Sequence, residues 1–390
     1  MSLQISIASQ SLTKYGEELC GDKVEVVRIG TTTVAVLADG LGSGVKANIL
    51  ATLTSKIIST MLAQGASVEQ AVETIVCTLP ECHVRKLAYS TFSILCLSDS
   101  GGGYLVEFDN PFLIFIRQGK VLNLPCIYRE YAGKGVYETH FTVLPGDVLT
   151  MISDGVIYAG VGATLNFGWS RDNVAGWLCG LIHPDSSAPR LAASLIQAVG
   201  DLYLNRPGDD ATALVACVHT DTCVNLLSGP PANRQDDARM VRQFMKSSGC
   251  KIVCGGSSAN MVARLLDRTV KTQLYDDDPQ IPPAASIEGI DLVTEGVLTL
   301  SRTVDLLRAY RENRAGTDFF RQLDANNGAA RLARILLEKC TRLRLYIGGA
   351  INPAHQNPNL PADLRIKRKL IDDLAGLLTD LGKQVERCFY

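Results

Sequence analysis

Four acidic points in the chain share one local pattern: Gly21-Asp22 in CGDKVEVV, Asp39-Gly40 in VAVLADGLGSGVKA, Asp154-Gly155 in DVLTMISDG, and Asp209-Asp210 in RPGDDATALVACV. Each stands where an apolar run meets a turn, and the four lie far apart in sequence. Gly40 and Gly155 allow a tight turn and a close approach to the main chain. Asp-Gly is also the favoured pair of a two-residue hairpin. That reading is weak here, because Asp39-Gly40 leads into a helical stretch and Asp154-Gly155 into VIYAGVGATL before any clear strand. Clustered carboxylates repel one another unless a cation lies between them. Oxygen donors without accompanying His or Cys suit Mg²⁺ or Mn²⁺ better than zinc.

Two nucleotide-binding readings of the glycine-rich stretch fail on spacing. A phosphate-binding loop of the G-x-x-x-x-G-K-[ST] kind is broken by Val45 between Gly44 and Lys46, with Ala47 where a hydroxyl residue belongs. A dinucleotide fingerprint needs its third glycine later than Gly44. Asp39 therefore reads as a metal ligand.

The elements that must position these acids divide the chain in two. Up to about residue 220, β-rich segments follow one another with hairpin-length gaps: QISIAS, VEVVRIG, TVAVLAD, STFSILCLS, GYLVEFD, FLIFIRQ, KVLNL, YETHFTVL, DVLTMIS and ATALVACVH. Helical stretches are expected near 43–64, 67–79, 171–182 and 187–204. Such an order predicts antiparallel sheets flanked by helices. Beyond residue 223, VNLL, KIVC, IDLV, RLRLYI and VERCFY alternate with helices near 234–248, 258–267, 300–340 and 363–381, which predicts an α/β domain with a mainly parallel sheet. The segment 271–287, with DDDPQIPP, reads as a polar, proline-rich loop. The expected organisation is an α+β chain with domains 1–222 and 223–390.

At 390 residues, two domains are the default expectation. Hydrophobic residues make up 46% and charged residues 20%, a globular balance. A net charge of −2 and the lack of a basic stripe with aromatics argue against nucleic-acid binding. The RIKRK run, Arg365 to Lys369, reads as a solvated helix face. No stretch reaches a membrane-spanning length of about 18 apolar residues, so no membrane association is expected. Twelve cysteines are scattered without a CxxC pair. Cys250 with Cys254, or Cys77 and Cys82 beside His83, offer weak ligand sets; free thiols in a reducing cytoplasm fit better. The histidines (His83, His140, His183, His219, His355) form no constellation.

The ordered set Gly21-Asp22, LADGLGSGVKA, YSTFSILCL (89–97), ISDG and GDDAT resembles the metal-dependent Ser/Thr protein phosphatases of type 2C. Within them it is most similar to the bacterial branch typified by the stage II sporulation protein E phosphatase. The resemblance spans about residues 5–220. It implies a β-sandwich of two antiparallel sheets with helices outside and a two-metal centre, Mn²⁺ or Mg²⁺, at one end. By position, Asp39 would bridge the ions, the Gly40 carbonyl would complete one of them, and Asp154 and Asp209 would hold the other. Asp22 would act close by, and Asp210 would support the set. A metal-bridging hydroxide would attack phosphorus in line. In this branch the helices after the first Asp-Gly, here residues 43–79, commonly switch the enzyme, and homodimerisation can drive that switch. A phosphate-binding Arg and a general-acid His found in many relatives have no counterpart; Lys14 and Lys23 are the only basic residues near Asp22.

In the second domain, VNLLSGPP, KIVCGGSSA, IDLVTEG and RLYIGGA each run from a strand into small residues. Gly255, Gly256, Ser257 and Ser258, directly before a helix, offer backbone amides to an anion, which suggests a small-molecule or phosphate-bearing effector. βα turns are rich in Gly and Ser for structural reasons alone. The function expected from all of this is dephosphorylation of phosphoserine or phosphothreonine on a bacterial regulatory protein. A catalytically silent scaffold or sensor of the same fold, and a phosphatase acting on a small molecule, are the alternatives.

Overall fold

The computed structural model describes residues 3–78, 90–131, 134–183, 186–272, 284–312, 316–350 and 362–390. The chain forms two compact units, Met1–Thr220 and Asp221–Tyr390.

Unit 1 contains β1 (Leu3–Leu12), β2 (Asp22–Ile29), β3 (Thr32–Gly40), α1 (Gly44–Ala63), α2 (Val68–Thr78), β4 (Ser90–Ser98), β5 (Gly102–Phe108), β6 (Ile114–Arg117), β7 (Lys120–Leu122) and β8 (Ile127–Tyr131). These are followed by β9 (Lys134–Thr142), β10 (Val148–Ile152), α3 (Asp154–Ile157), α4 (Arg171–Leu181), α5 (Ala188–Leu202) and β11 (Ala211–Thr220). One antiparallel sheet runs β2-β3-β4-β5-β9-β8 and the other β1-β11-β10-β6-β7.

The run VAVLA of β3 shows how the layers arise. Its side chains alternate between faces. Ala35 and Leu37 join Leu95, Leu105, Met151, Leu214 and Ala216 in the core between the sheets. Val34, Val36 and Ala38 face outward and are covered by Ala51 and Ile58 of α1 and Ala71 and Ile75 of α2. On the far side, α3, α4 and α5 pack Val156, Leu178, Leu195 and Val199 against Ile114, Ile152 and Ala213. The result is four layers, helix–sheet–sheet–helix, with central strands such as β3 and β11 buried on both faces.

Unit 2 contains β12 (Cys223–Ser228), α6 (Asp237–Lys246), β13 (Cys250–Cys254), α7 (Gly256–Leu266), β14 (Lys271–Thr272), β15 (Ala285–Ile287) and β16 (Ile290–Thr294). After these come α8 (Val297–Arg311), α9 (Thr317–Leu323), α10 (Gly328–Arg334), β17 (Arg342–Ile347), α11 (Ala362–Asp380) and β18 (Gln384–Phe389). The sheet order is β14-β15-β16-β13-β12-β17-β18. The pairs β16–β13, β13–β12, β12–β17 and β17–β18 are parallel, while β14 and β15 form an antiparallel edge. α6 and α7 bury Met240, Phe244 and Val262 against Leu227, Val253 and Val293 on one face. On the other face Gly328 of α10 lies against Thr294, and α8 is tied to α11 by Arg308–Asp373 (2.7 Å) and Arg311–Asp380 (3.0 Å).

Both fold expectations hold, an antiparallel sandwich with outer helices and a mainly parallel second sheet. Three details differ from the sequence reading. β8, IYREY, was not anticipated: as an exposed edge strand it carries no apolar alternation. The ISDG acid does not end a strand; Asp154 opens the single turn α3, its preceding Ser153 being extended. The segment 271–287 is not all loop, since β14 and β15 stand at its two ends. Cys82, His83, Tyr89, DDDPQIPP and His355 lie outside the described residues.

Leu37 sits fully buried between the sheets two residues before Asp39. Leu37→Ala is expected to cost about 2–5 kcal/mol, read as a lower urea midpoint at unchanged slope.

Candidate metal centre

Strand alternation delivers the acids to one end of the sandwich. In β3 the inward series is Ala35, Leu37 and then Asp39, the last inward residue before the strand leaves the sheet. β2 pairs antiparallel with β3 so that Asp22 stands directly opposite Asp39. Directly opposed side chains on antiparallel strands lie about 5 Å apart, and like charges there repel. Lys23 follows Asp22 and so takes the opposite face of the sheet, opposite Ala38. The third and fourth points come from the second sheet. β10 ends at Ile152, opposite Ala213 of β11, so Asp154 just beyond one strand and Asp209 and Asp210 just before the other share that end.

The supports of these acids are specific. Ser153 donates its hydroxyl to Asp22 Oδ2 at 2.7 Å, and the same Ser153 Oγ accepts the Thr212 amide at 2.9 Å. Asp210 Oδ1 accepts the backbone amide of Lys14 at 2.9 Å, and Asp209 Oδ1 accepts the amide of Asp210 at 3.0 Å. Lys14 Nζ lies 3.9 Å from Asp209 Oδ1. Tyr203, buried, donates its hydroxyl to the Gly155 carbonyl at 2.8 Å. Ser153, Thr212 and Tyr203 were missed by sequence reasoning. Ser and Thr beside acids carry no distinguishing signal, and Tyr203 belongs to the chain just past α5, remote in sequence.

Glycines set the close approaches. A side chain at Gly40 would collide with the Ala47 carbonyl of α1, and one at Gly155 with the Asp210 carbonyl. At Gly21 a Cβ would come within 2.8 Å of both Ala47 Cβ and Asp210 Oδ2. The first turns of α1 thus press on the backbone beside both Asp22 and Asp39.

Crowding shows in the electrostatics. Asp39 is pushed up to about 10, first by burial and then by the charges of Asp22, Asp154 and Asp209. Asp22 is pushed up to about 7 by burial, against the opposing hydrogen bonds from Ser153 and Thr212. Asp154 is raised by burial and by Asp209. Asp209 is raised by burial, which its bond from the Asp210 amide and the nearby Lys14 oppose. Two buried carboxylate oxygens, Asp22 Oδ1 and Asp210 Oδ2, have no hydrogen-bond partner among the described residues. Orphaned anionic oxygens among like charges fit a divalent cation in chemistry. Among the described residues, however, no three His, Cys, Asp or Glu side chains are arranged to hold an ion as they stand.

Residues 30–219 match the family model "Stage II sporulation protein E (SpoIIE)". The match takes in most of unit 1 and less than half of the whole chain, and over it unit 1 is similar to that family. The match takes in Asp39, Gly40, Asp154, Asp209 and Asp210, and begins after Asp22. Stage II sporulation protein E of Bacillus subtilis (strain 168) is 28% identical over 165 residues, 40% of this chain. The match spans 19% of that relative's length. The solved phosphatase domain of the Bacillus subtilis protein with a fragment of its regulatory domain is 21% identical, covers 57% of this chain and 65% of that chain, and has a TM-score of 0.48. RsbX in complex with magnesium is 19% identical, covers 55% of this chain and 95% of that chain, and has a TM-score of 0.40.

The raised carboxyls of unit 1 give a pH signature. Both Asp39 and Asp22 bind protons more tightly in the folded chain than at the unfolded value of about 3.9. The metal-free fold therefore holds more protons than the unfolded chain above about pH 4, and its stability falls as pH rises through about 7 and toward about 10. In EDTA the melting temperature should drop between pH 5.5 and 8.5 (values on the order of this window). Asp39→Asn should flatten that slope, and a profile that is level or rising in the wild type would contradict the crowding.

Proposed function

We propose that the chain is a Mn²⁺- or Mg²⁺-dependent protein phosphatase acting on phosphoserine or phosphothreonine of a bacterial regulatory protein. The observation that carries this reading is the convergence of Asp22, Asp39, Asp154 and Asp209 from four segments, with Asp22 and Asp39 opposed on neighbouring strands. Asp39, the Gly40 carbonyl, Asp154 and Asp209 would hold two ions, with Asp22 and Asp210 beside them. When bound, the ions would supply an activated water and neutralise charge on the phosphoryl oxygens.

The chain's own residues do the positioning. Ser153 holds Asp22 through one carboxylate oxygen and leaves the other free. Asp210 is held by the Lys14 amide, which fixes the loop that carries the Lys14 ammonium beside Asp209. That ammonium is a cation placed beside the acids where it can meet a substrate phosphate. In the cell we place this activity in the cytoplasm, where free thiols persist; the eleven cysteines among the described residues are all unbridged.

Control through α1 fits the packing. Ala47 touches the backbone flanking both Asp22 and Asp39, so a shift of α1 moves the two acids. The opposite face of α1 presents Val45, Ile49, Leu53 and Ile57 at four-residue spacing, 59, 52, 52 and 37% exposed. An uncovered apolar row of that kind marks a contact surface; a second copy of the chain or a regulatory protein would cover it.

One observation favours the scaffold alternative: among the described residues, no three acids stand ready for an ion. The two readings separate in one assay series. Hydrolysis of p-nitrophenyl phosphate and of a phosphoserine peptide should need Mn²⁺ or Mg²⁺. It should fall at least roughly a hundredfold in Asp39→Asn and in Asp154→Asn. A wild type that neither hydrolyses these substrates nor binds Mn²⁺ by calorimetry would be a scaffold.

A further inference from the structure

The parallel strands of unit 2 run, across the sheet, in the chain order third (β16), second (β13), first (β12), fourth (β17) and fifth (β18). The order reverses between β12 and β17, and sheets of this kind take their ligands at the carboxyl ends beside the reversal. What stands at that rim is specific. Lys367 of α11, in the middle of the RIKRK run, turns inward while Ile366, Arg368 and Lys369 stay exposed. Its Nζ lies 3.4 Å from where a Cβ on Gly229 would be and 3.9 Å from one on Gly255, at the ends of β12 and β13. Both glycines have positive φ, +88° and +107°, so the space beside the ammonium is kept open by residues without side chains.

No hydrogen bond or ion pair of Lys367 occurs among the described residues, although Cys254 and Glu295 face it and burial lowers its proton affinity. Leu227 and Val253 face α6 and α7; by alternation Ser228 and Cys254 face the other side, from which Lys367 reaches. Ser228 is 1% exposed and its hydroxyl has no partner among the described residues. Glu295, just past β16, has a buried Oε2 that likewise lacks one. The first turn of α7 opens at the same rim, but part of it is committed. The Gly255 amide is donated to the Thr294 carbonyl at 2.9 Å, and Ser258 Oγ accepts the Gly229 amide at 2.8 Å. Of the four residues expected to hold an anion, Gly256 presents the first-turn amide next to this opening of α7.

We propose that this rim binds a phosphate ester carrying free hydroxyls, with Lys367 and the Gly256 end of α7 on the phosphate, and Glu295 and Ser228 on the hydroxyls. Among the described residues, a buried ammonium without a hydrogen-bond partner, a carboxylate oxygen without a donor and a buried hydroxyl without a partner meet at one rim. A bare phosphate satisfies only the first. Buried water is the rival occupant, and it makes no use of the ammonium's charge. The site is independent of the phosphatase reading.

Calorimetric titration of the full chain with ribose 5-phosphate, inorganic phosphate and ribose tests it. EDTA is present throughout, so that the acidic centre of unit 1 repels the same anions. Ribose 5-phosphate should bind more tightly than phosphate. Lys367→Met should weaken both by roughly tenfold or more, at a melting temperature equal to or above wild type because a partnerless ammonium is removed. Glu295→Gln should weaken ribose 5-phosphate and spare phosphate. Absence of binding by either phosphate compound, or unchanged affinity in Lys367→Met, would overturn the site and leave water as its occupant.

Discussion

Two carboxylates placed opposite one another at the mouth of a β-sandwich cannot both stay charged and unaccompanied. Asp22 and Asp39 are in that position because β2 and β3 pair in that register, and every other feature of the centre answers to it. In the metal-free centre a proton relieves the repulsion, and a divalent cation would relieve it in the proton's place. The proton leaves the oxygens inert; a cation would turn them into a site. Ser153 bonds one oxygen of Asp22 and leaves the second bare, so the scaffold stabilises the pair without neutralising it. The stabilisation that tolerates this comes from the apolar residues earlier in the same strands. Ala35 and Leu37 bury in the core, and the same two-residue period puts Asp39 next on that face.

Close packing ties the acids to a helix. Gly21 and Gly40 lack side chains where Ala47 of α1 arrives, and Ala47 is itself fully buried. Interiors at this density transmit displacement rather than absorb it. A helix packed on the backbone of two clustered acids cannot translate without moving them, whereas one held off by long side chains could. Small residues at this junction therefore do two things: they permit the tight strand-to-helix turn, and they couple α1 to the acids.

The layers were legible because β3 and β11 are apolar on both faces and bounded by turn residues, a pattern that fits only strands covered on both sides. The acids at strand ends were legible for the same reason, as the points where an apolar period breaks. β8 was not, because an exposed edge strand such as IYREY has no buried face to impose alternation. Nor was the one-turn helix at Asp154, which follows from local backbone geometry that Ser153-Asp154-Gly155 does not uniquely encode. Lys367 shows a different limit. Within RIKRK its neighbours and itself are alike in composition, and only the placement of Gly229 and Gly255 against it makes it an inward residue. Partners remote in sequence decide such cases, and periodicity carries no record of them.

The two units solve the problem of assembling a site from strand ends in opposite ways. In an antiparallel sheet, strand beginnings and endings alternate along one rim, so unit 1 must recruit residues at the start of β2 and β11 and at the end of β3 and β10. Half of its acids thus precede a strand and half follow one, which explains why no single motif spacing captures them. In a parallel sheet all carboxyl ends share a rim, so unit 2 gathers Ser228, Gly255 and Glu295 from residues that each end a strand or immediately follow one. The charge of the side chains differs between the two rims. In unit 1 carboxylates crowd the strand ends, and crowded carboxylates suit a cation. Where α7 starts directly from β13, the helix N-terminus already favours negative charge, and a lysine rather than an acid is the side chain that completes it.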